Sequence, residues 1–220
     1  MSVWILGGLL IPDTAAAGEP FVEGQTWGLE VGFGGGWSPQ STPYTRTLET
    51  FGFEDRVALL ERDATHFRFS AAVEAILLPY FSVLLQTNLL DHQKWYRLSG
   101  RGPADEFKWS SWALDVHARA FYPVRSWFRV YAQFGVGPTF TGTRLTVRTD
   151  EDSQTAYRET DVGYNVAGLG GLELTSKHVG FFMQGGYFHA PSPKNRLGDR
   201  HQSGGGVLLG GLSAHFGRPR

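Results

Sequence analysis

Between Trp27 and Trp37 the chain reads WGLEVGFGGGW: bulky apolar residues alternate with Gly or Glu, Gly35 being the one exception in the bulky phase. Such alternation predicts a strand between two different environments. The same pattern recurs in seven further segments, at residues 67–77, 81–89, 112–122, 128–140, 162–174, 179–187 and 208–216. No position on the apolar phase of these segments is charged, although 19% of the chain is Asp, Glu, Lys or Arg. Eight strands are therefore expected.

Their connections differ in length. Tight turns are expected at Leu78-Pro79-Tyr80, from Pro123 to Ser126 and from Thr175 to His178. The other four connections, at 38–65, 90–110, 141–161 and 188–204, are long and rich in Pro, Gly, Ser, Thr and charge. Short turns then share one end with both termini, and long loops crowd the other. The pattern predicts an all-β fold: an eight-stranded antiparallel up-and-down transmembrane β-barrel with short periplasmic turns and long extracellular loops.

Alternation does not say which phase faces inward. A soluble lipocalin-like binder would turn the apolar phase in, and Gly35-Gly36-Trp37 weakly matches a G-x-W signature. Against that, the second phase of strand one is almost all Gly. That of strand four is Ser111, Ala113, Asp115, His117, Arg119 and Phe121. Small and hydrogen-bonding residues suit the cramped lumen of a small barrel. Aromatics also mark both ends of the apolar phase: Trp37, Phe67, Trp112, Phe140 and Tyr187 near the loops, and Trp27, Phe81, Tyr122, Phe128 and Phe216 near the turns. They predict girdles at two membrane interfaces.

Over about residues 24–216 this plan resembles the small eight-stranded outer-membrane barrels of the OmpA and OmpW type, in pattern rather than in a rigid motif. The segment GVLLGGLSAHF, ending in Phe216 with Gly211 five residues earlier, resembles the C-terminal signal read by barrel-assembly machinery. It departs from that signal at Ala214 and in the four residues after Phe216. The resemblance implies a Gram-negative outer membrane, contact with its lipids and lipopolysaccharide, assembly by that machinery, a monomer and no enzymatic activity.

Composition narrows the chemistry. A net charge of -1 over 220 residues gives no reason to expect nucleic acid, and without cysteine there is no disulfide or thiolate site. The 29 glycines are nearly twice the roughly 15 of average usage. Residues 1–17 contain an apolar run and Ala15-Ala16-Ala17, and they are expected to be a signal peptide, although no Lys or Arg precedes the run. Residues 18–220 form a single barrel domain on this reading.

Inward charges then stand out. Glu30, Glu74, Arg119, Arg129 and Glu173 lie near the turn end; Asp115, His117 and Arg68 lie further toward the loops, with Asn165 and Gln184. They are expected to neutralise one another in a network that closes the lumen, Glu30 meeting Arg119 or Arg129. OmpA-like barrels resemble this arrangement. Two membrane alternatives stay open. An OmpW-like conduit for small apolar solutes would need an apolar upper lumen, for which Leu169, Phe182 and Phe188 offer surface, with Phe121 at the opposite end. The triplet His201-Gln202-Ser203 resembles the His-x-Ser of the lipid A deacylase PagL, but Gly204 replaces that family's Asn and no Glu follows Ser203. Asp150, Glu151 and Asp152 are weak cation candidates in a loop, and no helix follows the glycines at 34–36. No metal-ligand spacing links the seven histidines, and no cofactor is expected.

Overall fold

The computed structural model describes residues 25–37, 65–96, 106–148, 153–176, 178–192 and 201–217. Seven strands come first: β1 (Gln25–Trp37), β2 (Thr65–Leu78), β3 (Phe81–Tyr96), β4 (Glu106–Arg125), β5 (Phe128–Arg148), β6 (Ser153–Ser176) and β7 (Val179–His189). Two residues each form β8 (Pro191–Ser192) and β9 (His201–Gln202), and β10 (Gly205–Gly217) ends the series. The long strands close into a barrel in the order β1-β10-β7-β6-β5-β4-β3-β2, and β8 pairs with β9 in a separate ribbon. This is the eight-stranded antiparallel barrel that the alternation predicts. Closure comes from β1 against β10, from Gln25 opposite Gly217 to Trp37 opposite Gly206, so the sheet has no free edge.

Four strands outrun the apolar pattern. β3 continues to Tyr96, β4 begins at Glu106, β5 reaches Arg148 and β6 starts at Ser153. The loops expected at 90–110 and 141–161 therefore shrink to 97–105 and 149–152, which lie outside the described residues. The physical reason is simple. Beyond the apolar belt charged and apolar residues exchange places, as in Glu106-Phe107-Lys108-Trp109-Ser110, so the apolar phase read along the belt stops while the backbone ladder continues. The expected loop at 188–204 likewise contains the β8–β9 ribbon, and most of 38–65 lies outside the described residues.

Local irregularities shift two other expectations. The second turn falls at Ser126-Trp127, because β4 runs on to Arg125 across a register shift between Pro123 and Arg125. A proline that cannot donate to the ladder is tolerated at such a bulge. On β3 the register also shifts between Leu89 and Asp91, and the extra residue, Leu90, is buried.

Candidate functional site

Strand phase brings the inward charges together on the barrel axis. Glu30 on β1 and Arg119 on β4 meet across the lumen in a bidentate pair, with contacts of 2.5 and 2.8 Å. Arg119 also donates to Glu74 at 3.3 Å. Arg129 bridges the other Glu74 oxygen at 3.4 Å and Glu173 at 2.5 and 2.6 Å. The remaining Glu173 oxygen meets His215 Nε2 at 2.6 Å and the hydroxyl of Ser213. The result is a ladder, Glu30–Arg119–Glu74–Arg129–Glu173–His215, whose members are all buried. Aromatic faces flank it: the Arg119 guanidinium lies 4.3 Å from the Tyr131 ring centre and that of Arg129 lies 4.9 Å from Phe121.

Neutral amides extend the ladder toward the loops. Arg119 Nε donates to Gln133, Gln133 to Gln86, Gln86 to Asn88 and Asn88 to Asp115. Ser82 donates to Glu74 at 2.5 Å, and Tyr131 donates to Gln184. Ser82, Gln86, Asn88, Tyr131, Gln133, Ser213 and His215 were not singled out by sequence. Their place on the phase opposite the apolar one was the only signal there to find them.

Glycine makes the room. A Cβ at Gly135 would fall on the His117 ring, one at Gly36 on the Arg68 side chain and one at Gly32 on Phe182. At Gly137 a Cβ would strike the backbone carbonyl of Leu114, so only glycine fits there.

Asp115, His117 and Arg68 take positions away from the ladder. Asp115 accepts from Asn88 at 2.9 Å, and the His117 ring lies 3.7 Å from it. Among the described residues the two His117 ring nitrogens, Asp115 Oδ1, Thr139 Oγ1 and the Asn165 amide have no hydrogen-bond partner. Buried polar groups in that state are ordinarily met by ordered water. Arg68 donates to the carbonyls of Ser203 and Gly204 at 3.5 and 3.3 Å. Nearby, Ser111 donates to Ser203 at 2.9 Å. The side chains of His201 and Gln202 lie outside the described residues. A buried apolar cluster of Leu90, Ala113, Ala167, Leu169, Phe188, Ala190, Val207 and Leu209 shares the loop-side lumen.

The outer surface has the opposite character. Leu212 is 63% exposed, Val162 61% and Phe134 57%, whereas Arg119, Arg129 and Glu74 are fully buried. A water-soluble fold cannot leave its large apolar residues outside and its charges within. The chain is a transmembrane β-barrel. Its outer surface carries exposed Trp27, Trp37, Phe67, Trp112, Tyr122, Phe140, Tyr187 and Phe216, while Phe81 and Phe128 are only half exposed. Tyr80 and Trp127 add exposed aromatics at the turns, where residues fall outside any alternating phase. Phe216 pairs with Trp27, and Gly211 sits opposite Gly32 beneath the Phe182 ring.

No protein-family model matches the barrel, and no curated protein matches it. Among solved structures it is similar to Neisserial surface protein A (NspA), at 14% identity, 86% coverage of this chain and 97% of the other, and a TM-score of 0.43. It is also similar to Ail, the attachment invasion locus protein of Yersinia pestis, in complex with the heparin analogue sucrose octasulfate (8%, 87%, 99% and 0.49). The N-terminal β-barrel domain of Pseudomonas aeruginosa OprF is a third (12%, 88%, 99% and 0.37). Likenesses this distant add nothing to the assignment, which stands on strand closure and polarity.

Proposed function

We propose that the barrel is a non-enzymatic, monomeric protein of a Gram-negative outer membrane, with its lumen closed by the Glu/Arg ladder and its role, structural or in surface contact, exercised at the loop end. The observation that carries this is the continuous ladder from Glu30 to His215, which occupies the axis of a barrel only wide enough for side chains. Lipids and lipopolysaccharide surround the belt on this reading, and Gly211 and Phe216 serve as the assembly signal. In planar bilayers we expect the native barrel to show no stable conductance, and Arg119→Ala with Arg129→Ala to open one. A steady native conductance that vanishes when Arg119 or Arg129 is changed would overturn the closed lumen.

A second reading is favoured by the loop-side apolar cluster: a conduit that admits a small apolar solute and releases it sideways into lipid. Ala190→Leu, at a fully buried position of that cluster, would then cut uptake of a hydrophobic dye into vesicles, with the heat-shifted gel band reporting that the barrel is still folded. A lipid hydrolase gains no support, because Ser203 is 1% exposed inside the lumen, out of reach of an acyl chain in the membrane. We expect no deacylation of lipid A by the purified barrel. The soluble-binder alternative requires the reverse polarity.

A further inference from the structure

On the loop side of the ladder, β5 offers the lumen almost no side chain. Gly135 stands opposite His117 on β4 and Ala167 on β6, and Gly137 stands opposite Asn165 on β6. Thr139, the next lumen position, lies between Ala113 and Gly163. The His117 ring lies over Gly135, and Asp115 Oδ1 lies 2.7 Å from where a Cβ on Gly137 would be. Both β4 side chains therefore lean across the glycines of β5 toward β6. Strands two apart are separated by roughly 10 Å, so side chains leaning in from both flanks share the gap over Gly137.

Four side chains meet around this gap, and all are buried: Asp115 and His117 fully, Thr139 and Asn165 to 1% exposure. Six of their polar atoms have no hydrogen-bond partner: Asp115 Oδ1, both His117 nitrogens, Thr139 Oγ1 and both ends of the Asn165 amide. Water can satisfy hydrogen bonds, but it leaves the Asp115 carboxylate without a counter-ion. Among the described residues no lysine or arginine reaches that carboxylate; Asn88 donates to it, and His117 is its basic neighbour. The ladder has no cation to spare, since Glu30, Glu74 and Glu173 already share Arg119, Arg129 and His215. A protonated His117 would need acceptors at both nitrogens, and it has none. Its Nε2 lies 3.7 Å from Asp115 Oδ2, too far for a hydrogen bond. Two donors bound to one zinc-class ion, each about 2.1 Å from it, stand roughly 3–4 Å apart.

We propose that His117 and Asp115, completed by the Asn165 carbonyl and the Thr139 hydroxyl, hold a divalent transition-metal ion of the zinc class in the lumen. An imidazole with oxygen donors and no thiolate suits Zn2+, Co2+ or Ni2+ better than Mg2+ or Ca2+. The ion neutralises Asp115 and supplies the missing partners on both sides of Gly137. Among the described residues no three His, Asp or Glu side chains gather at one point. An amide and a hydroxyl complete the set instead, so the ion exchanges more readily than in a structural zinc centre.

The test uses the full chain refolded in detergent micelles with Zn2+, Co2+ or Mg2+, then freed of unbound ion and assayed for retained metal. The native barrel is expected to keep a single Zn2+ or Co2+ and to release Mg2+. Zn2+ should also shift the magnetic-resonance signals of the His117 ring, assigned by their loss in His117→Phe. Asp115→Asn and His117→Phe should each weaken Zn2+ retention by at least about tenfold, whereas His178→Gln with His189→Gln should leave it unchanged. Asn165→Asp adds a carboxylate and should tighten retention, a gain that a poorly folding variant cannot mimic. The heat-shifted gel band reports which variants are folded. A folded native barrel that keeps no Zn2+ would overturn the site in favour of water alone, as would retention that is the same in Asp115→Asn, Asn165→Asp and the native chain.

Discussion

A guanidinium inside a membrane barrel has no bulk water to fall back on, so each arginine here depends on its named acceptors. Arg119 holds Glu30 bidentately and reaches Glu74, and Gln133 accepts from its Nε. Arg119→Ala strands two buried carboxylates, and we expect a loss of about 3–5 kcal/mol, read by urea titration of the folded band on unboiled gels. Glu30→Gln combined with Arg119→Gln should cost much less, because no unpaired charge then stays buried. Glycine positions separate just as sharply. Gly135→Leu must displace the His117 ring and should cost about 1–3 kcal/mol, whereas Gly142→Ala, on an open outer face, should change stability by less than about 0.5 kcal/mol. At this scale the sequence is partly legible. Period two assigns Glu30, Glu74, Asp115, His117, Arg119, Arg129 and Glu173 to one face. It does not say that Glu74 stands between two arginines, while Asp115 accepts from the Asn88 amide and His117 lies beside Asp115.

Each strand is a two-sided object, and its lipid face tolerates charge poorly. Leu212, near the middle of β10, is 63% exposed to what the barrel offers lipid. Leu212→Arg should destabilise the membrane-inserted barrel by about 2–4 kcal/mol, measured by reversible unfolding in vesicles. The neighbouring lumen residue, Ser213, hydrogen-bonds Glu173, so Ser213→Ala should lose nearer 1–3 kcal/mol as an acceptor is left short. Strand existence and phase were legible because the belt imposes a contrast between faces. Strand ends were not, since the apolar phase of the belt stops where the belt stops: β5 and β6 run on through Arg144, Arg148 and Arg158, with Leu145, Val147 and Tyr157 interleaved among them. The bulge that buries Leu90 was equally hidden, because a one-residue slip depends on the register of β3 against β4.

For the whole molecule the decisive property is closure. A closed ladder holds its strands in SDS until heated, so we expect the unboiled protein to migrate faster than the boiled protein. Equal migration, together with solubility in the absence of detergent, would end the membrane assignment. Closure also accounts for contacts far apart in sequence, such as Glu30 with Arg119 and Glu173 with His215. The ladder should make the core stiff, and the double change at Arg119 and Arg129 should therefore loosen the barrel as well as open it.

The sequence by itself determined the class: eight alternating segments without a charge on the apolar phase, short turns at one end, aromatics at both limits and space-making glycines inside. These are local properties, because every strand meets lipid on one side and lumen on the other. Tertiary structure alone decided the rest. The hydrogen-bond stagger of the closed sheet determines which inward side chains reach one another across the axis. It also sets Asp115, Thr139 and Asn165 around Gly137, although they come from three different strands. Register is a relation between strands, and no single strand carries it.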